Sequence, residues 1–586
     1  MPSLQTSSMR AKSERTFAFV SPLSESAFHY DEADSNAHPF HVLWQIGAPL
    51  LFFPALVFAL ATLWLMAGGT ISQGSAWIIT LGSAAAALSA PRLLLSDGWR
   101  FAPLASLALG ALALALSSLL YDTSIDGQHY HFQAIHAFVE GWNPYQEGAP
   151  PVIGDPITPW ALHYPRATWV VSAVLLAAGL PLAAVKVVNL LMCFAGLALV
   201  AATLIRFGYT FAISALLASI AVLSPIVASQ LFTSMNDGLL GLCMLILVAS
   251  MATWIRYRDP AALTAGIAAM TIGLNLKFSS IPIFGVICFF ICVAALAARG
   301  LRTAMGVAIV LLATTFGSVV LLGWSPYIQN ILYSGHIFYP VMGAQPVDIM
   351  FGNTPMVLDD LSAPARFLYS LFAETHAGYE TIATLKLPFS LTWTELRAAG
   401  GVDVRVAGFG PLFSGVLVLA ALCLARLLWK EGRAPTASVW LLLIAAGFLV
   451  SALLMPQNWW ARYVPQLWFV PLCIAAAALA NRLRSVQILG LAIAALMHVT
   501  AALVSGSAIW LAAKRNAEAS AQISDLARTG TTYCVYPDMV QSRIHLMREA
   551  GIEVRYTPRE AISCAAPQEI SGYGPDRFGG QICPCP

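Results

Sequence analysis

Apolar residues fall in long blocks along this chain, separated by short polar joints. Many blocks approach the roughly 20 residues that cross the hydrocarbon of a bilayer. We read thirteen as spanning helices, near 44–66, 75–95, 102–121, 184–205, 210–229, 238–255, 261–276, 280–298, 304–323, 408–429, 437–455, 464–480 and 486–511. A helix pairs its own backbone groups in lipid, so blocks of this length are expected to be helical. Residues 167–183 are apolar but broken by Gly179 and Pro181, and are expected to form a half-helix embedded on one side. Residues 1–41 are polar and mixed in charge, which predicts a disordered cytoplasmic tail.

Basic residues near span ends orient such a bundle. Arg92 with Arg100, Arg206, Arg256 with Arg258, Arg299 with Arg302, Arg426 with Lys430 and Arg433, and Arg482 with Arg484 all fall on one side, the expected cytoplasm. Loops 121–166 and 324–407 and the tail 512–586 then lie on the other side. The tail runs from strand-like TTYCVY through a helix-like stretch, Met539 to Ala550, to strand-like IEVRY. The expected fold is an all-α polytopic membrane protein of about 13 transmembrane helices in residues 42–511, with outer-face loops and a small α/β C-terminal periplasmic domain.

Composition agrees with a lipid environment. Of 586 residues, 58% are hydrophobic and 10% charged, where a soluble domain carries about 25% charge. The 31 basic and 29 acidic residues leave a net charge of +2, so a nucleic-acid partner is not expected. Six of the ten cysteines (Cys193, Cys243, Cys288, Cys292, Cys423, Cys473) sit in predicted spans, where a thiol packs as a small hydrophobe. Cys534, Cys564, Cys583 and Cys585 lie in the tail. An even set there predicts one or two disulfides, with the pairing left open.

Against this background the polar residues near the outer face carry the chemistry. In the first outer loop, DGQHYHFQAIHAFVEGWNP, a helix from Asp126 places Phe132, Ile135, Val139 and Trp142 on one stripe and Asp126, Tyr130 and Gln133 on the other. That pattern predicts an interfacial helix with its polar face toward water. Asn236 and Asp237 stand at a span end in SMNDGLL on the same side. Lys277, in GLNLKFSS, interrupts an apolar stretch of nearly 40 residues. A lysine at that depth is costly unless it is paired or faces a wet cavity. Arg462, in QNWWARYVPQ, is the single basic residue of a short outer hairpin, between Trp460 and Tyr463. Its forked donors suit a phosphate. Each has an ordinary reading as a solvated end residue or an aromatic interface anchor. Together, two acids and two bases at one rim suit a lipid-linked anionic substrate, with a carboxylate taking the proton from an incoming hydroxyl.

These segments resemble the GT-C superfamily of integral-membrane glycosyltransferases, which use polyprenyl-phosphate-linked sugars. The resemblance covers about residues 100–480. It rests on the acid-bearing first outer loop, the second acid in MNDGLL, the lysine segment LNLKFSS, the loop YIQN…SGHIFYP and the hairpin WWARYVPQ. It implies an inverting transferase on the outer face of a bacterial inner membrane, with Asp126 as base and Asp237 assisting the acceptor or a metal. Lys277 and Arg462 would bind the donor phosphate, and Tyr130, His131, Asn236 and Tyr463 would contact substrate. The partners implied are a polyprenyl-phosphate sugar donor, a glycan, lipid or protein acceptor, and membrane lipids. Two features depart from the family pattern. Two extra spans precede the acid loop, and the loop holds Asp122 and Asp126 four apart in place of a DxD pair. That spacing leaves metal dependence open, with no divalent metal favoured as a cofactor. Three alternatives stand beside this reading: a ligase or oligosaccharyltransferase moving a whole lipid-linked glycan, a solute transporter using Lys277, and a zinc hydrolase built on His129, His131, His136 and His163 beside Asp126.

Overall fold

The computed structural model describes residues 37–586 apart from 96–98, 149, 151–157, 349–351, 379–381, 431–435, 565 and 573–579. The expected disordered tail lies outside this range, save for its last five residues. These begin the first helix, Ala37–Met66, earlier than the apolar pattern alone suggested.

The chain is mostly helical. Among the described residues seven helices are long and apolar enough to cross a membrane: His38–Met66, Gln73–Leu94, Leu182–Arg206, Asp237–Tyr257, Ser280–Arg299, Leu301–Leu322 and Arg484–Ala527. Six more of the predicted blocks are shorter apolar helices: Ala102–Ser118, Phe211–Val222, Pro260–Leu274, Phe413–Trp429, Ser438–Leu453 and Pro465–Leu479. The block at 210–229 is cut by Ser224 and Pro225, which start a separate turn of helix, Pro225–Gln230, capped by the Ser224 hydroxyl. The broken block at 167–183 is the helix Ala167–Ala177, about 16 Å long and too short to cross alone. It ends before Gly179, which takes a positive φ of 99°.

Two expectations need correction. The helix of the last span does not stop near residue 511. The helix Arg484–Ala527 runs on for 44 residues, about 66 Å, and carries the tail on its far end. The first outer loop is also not an interfacial helix with a wet face. Residues Gly127–His131 form a π-helical turn before the helix Phe132–Val139. The extra residue of a π turn rotates everything after it out of the 3.6-residue phase. Gln133 is consequently buried beside Phe132, Ile135 and Phe138.

The tail is a small sheet in the order Val554–Tyr556, Tyr533–Tyr536, Gln581–Pro584, Gln568–Glu569. Its first pair is parallel and the others antiparallel. The helix Ser542–Glu549 connects the two parallel strands. Disulfides Cys534–Cys585 and Cys564–Cys583 close it. The tail sits directly on the first outer loop. Gln541 Oε1 lies 2.8 Å from His129 Nδ1, His545 stacks on His136 at 3.5 Å, and Glu549 Oε1 accepts from the Leu182 amide at 3.0 Å.

Candidate functional site

Each of the four charged residues singled out above is delivered by a chain break at a helix end. Asp126 immediately precedes the π turn. Its approach is fixed by Asp122, whose Oδ1 accepts from the Ser124 amide at 2.9 Å and hydroxyl at 2.6 Å, and whose Oδ2 accepts from the Ser234 amide at 2.7 Å. That last bond ties the first outer loop to the turn leading into Asp237. Only glycine fits at 127, because a Cβ there would stand 2.0 Å from Asp122 Oδ2. Burial pushes the Asp122 carboxyl up, against the lowering effect of its bonds to Ser124 and Ser234. Asp122 is thus a structural clasp, not the missing half of a DxD pair.

Asp237 is the first residue of the helix Asp237–Tyr257, where the helix dipole favours a negative charge. Lys277 lies in the turn between the helices Pro260–Leu274 and Ser280–Arg299. Arg462 stands in a short turn, Ala461–Tyr463, just before the helix Phe469–Leu479. These three and Asp126 meet in one network. Lys277 Nζ pairs with Asp237 Oδ1. Arg462 donates from Nε to Asp237 Oδ2 at 3.1 Å and from Nη2 to Asp126 Oδ2 at 2.6 Å. Gln230 Nε2 adds a bond to Asp237 Oδ2 at 2.9 Å. The Lys277 ammonium stands 4.6 Å above the Tyr463 ring.

A third acid, which sequence reasoning missed, completes the network. Arg462 Nη1 donates to Asp403 Oδ1 at 3.3 Å. Arg405 Nη2 donates to Asp403 Oδ2 at 3.1 Å. The two guanidiniums lie 5.0 and 5.1 Å from the centroid of Trp460. Three carboxylates (Asp126, Asp237, Asp403) thus face three cations (Lys277, Arg405, Arg462). Burial disfavours ionisation of Asp126, but the adjoining Arg462 outweighs it and holds the carboxyl below its usual range.

The network forms the polar wall of a cavity of about 1060 Å³. Asp126, Tyr130, Lys277, Arg462 and Tyr463 line it, as do Asp403 and Arg405. Its apolar side includes Pro282, Ile283 and Val286 of one candidate spanning helix and Leu454 and Met455 beyond another apolar helix. The tail contributes Met539, and His129, held by Gln541, also faces in. The other predicted contacts stand behind the wall. Asp237 is buried behind the two cations, His131 Nδ1 accepts from Trp169 Nε1 at 2.6 Å, and Asn236 Oδ1 accepts from Thr168 at 3.1 Å. The four histidines of the first loop do not converge: His129 meets Gln541, His131 Trp169, His136 His545, and His163 Asn330. Among the described residues no group of three or more His, Cys, Asp or Glu is placed to hold a metal ion.

Basic residues gather at the opposite ends of the same helices. Arg206, Arg256 and Arg299 close the helices Val187–Arg206, Asp237–Tyr257 and Ser280–Arg299. They lie close together there: Arg299 donates to the Arg256 carbonyl, and Tyr257 to the Arg206 carbonyl, both at 2.7 Å. Asp237 and Pro282 mark the cavity ends of two of these helices. Three of the basic residues that the sequence puts on one side thus lie at helix ends away from the cavity. Compared with family models, with curated proteins and with solved structures, the chain matches none.

Proposed function

We propose that the protein is a membrane glycosyltransferase that moves a sugar from a polyprenyl-phosphate donor to a hydroxyl acceptor. The observation that carries this reading is the shared cavity wall. A carboxylate, Asp126, stands 2.6 Å from a guanidinium, with a lysine beside it, opposite a surface of apolar membrane helices. In the proposed reaction the acceptor oxygen attacks the anomeric carbon and the bond to the phosphate oxygen breaks. The phosphate leaves toward Lys277 and Arg462, and the acceptor proton passes to Asp126. This is a single displacement with inversion.

The charge pattern supplies a trigger. A carboxylate bound to Arg462 is a weak base. A donor phosphate that takes over Arg462 would release Asp126 and raise its basicity just where the acceptor must be deprotonated. Asp237 keeps both cations in place from behind and does not contact substrate.

The finer topology belongs to the same proposal. The six shorter helices, with Phe211–Val222 extended by the turn Pro225–Gln230, complete thirteen spans, and the cavity faces the periplasm of a bacterial inner membrane, because the basic helix ends lie away from it. The test is transfer of label from polyprenyl-phosphate sugars in membranes containing the full chain. Label reaching an acceptor supports the reading. Solute uptake into proteoliposomes with no transfer from any donor would replace it with a transporter.

A further inference from the structure

The segment LKLPFSLTW, residues 385–393, is turned inside out for a chain in water. Exposure alternates from Leu385 to Leu391, and Leu385, Leu387, Phe389, Leu391 and Trp393 are all outward. Leu387 is 80% and Trp393 78% exposed. The charge points inward: Lys386 pairs with Glu395, whose side chain is 1% exposed. Glu395 is satisfied further by the amides of Thr375 at 3.0 Å and Thr392 at 3.1 Å. A buried ion pair beneath a row of exposed leucines and a tryptophan requires an apolar surrounding on the outer side.

The position of the segment says what that surrounding is. The Phe389 ring covers Gly415 in the first turn of the helix Phe413–Lys430, where an added Cβ would stand 2.4 Å from the ring. The helix Trp393–Ala399 rests on Ser507, whose hydroxyl donates to the Leu396 carbonyl at 2.7 Å. Ser507 lies 23 residues past Arg484, about 35 Å along the helix axis, just beyond a hydrocarbon layer of about 30 Å. Ile509 and Trp510 of that helix are exposed at the same level. The apolar row therefore continues the lipid-facing surface of the candidate spans.

We propose that Leu385–Trp393 is a membrane-inserted strap, seated in the acyl-chain and headgroup boundary of the leaflet on the cavity side. Its occupant is lipid. The strap pairs with the chain at Phe372 and Glu374 through Lys386 N to Phe372 O at 3.0 Å and Glu374 N to Thr384 O at 2.9 Å. That chain continues into the two-stranded sheet beside Asp403, in which His376 pairs with Val406. Anchoring the strap thus holds the Asp403 wall of the cavity against the bilayer, whatever the cavity binds.

The test places a photoreactive p-benzoylphenylalanine at Leu387, Trp393 or, as a control, Arg528 near the far end of the long helix. The full chain is reconstituted in vesicles of phosphatidylglycerol and phosphatidylethanolamine, irradiated and analysed by mass spectrometry. Lipid adducts at 387 and 393, severalfold above those at 528, are expected. Cross-links from 387 and 393 to a second copy of the chain, or lipid yields no higher than at 528, would overturn the proposal.

Discussion

Asp237→Asn and Asp126→Asn make the same chemical change in the same network, yet the geometry predicts unequal losses of stability. Asp237 is buried and accepts from Lys277, from Arg462 at 3.1 Å and from Gln230 at 2.9 Å. Removing its charge leaves Arg462 with Asp126 and Asp403, but leaves Lys277 with no other carboxylate pair among the described residues. Breaking a buried ion pair from one side costs about 3–5 kcal/mol. Lys277 borders the cavity and can recover some hydration, so the lower end, about 3 kcal/mol, is expected. The Asp126 side chain is 30% exposed, and an ion pair reached by water contributes only about 0–1 kcal/mol. Reversible unfolding of the purified protein in mixed micelles should therefore rank Asp237→Asn well below Asp126→Asn. Equal losses, or a larger loss for Asp126→Asn, would refute the placement of Asp237 as the buried support of the site.

Other predictions follow from neighbouring contacts. Arg462→Ala and Lys277→Ala should weaken binding of polyprenyl phosphate, measured by titration. Asp403→Asn should tighten it, because a phosphate then meets one competing carboxylate fewer at Arg462. The stacked pair His136 and His545 should make tail docking sensitive to acid. Burial, with Arg548 nearby, holds His136 down to about 4, and burial, then His136 and Arg548, hold His545 down to about 2. An undocked tail takes up protons below about 6.5 that the docked one refuses, so docking is complete above that pH and weakens as pH falls toward 4. Hydrogen-exchange protection in Ser542–Glu549, corrected for the intrinsic exchange rate at each pH, should fall as pH is lowered from 7.5 to 5, and His545→Phe should reduce that dependence.

The charged residues of the site were legible in the sequence because ionic groups are costly in an apolar chain. Lys277 and Arg462 stood out for that reason, and the two acids stood out beside them. Asp403 and Arg405 carried no such signal: GVDVRV sits in a loop of ordinary polarity, and only folding brings it to Arg462. Likewise, sequence spacing could not reveal that Asp237 lies behind the cations while Asp126 lies in front. The polar face expected for the first loop failed at Gln133 because a π turn breaks helical phase without any marker residue. The helix beyond 511 was missed for a different reason. Its apolar period ends, but the Ala-rich stretch AAKRNAEASAQ keeps a strong helix preference, and that signal could have extended it. Helix type was the easiest feature to read, since apolar blocks of this length leave the backbone little alternative.

The most direct measurement separates donor binding from transfer in one variant. Asp126→Asn should bind a polyprenyl-phosphate sugar at least as tightly as the wild type, since it too removes a carboxylate from Arg462, yet transfer it about 10²–10⁴-fold more slowly. Full transfer by Asp126→Asn, or loss of donor binding in step with loss of transfer, would contradict a base that is released by the arriving phosphate.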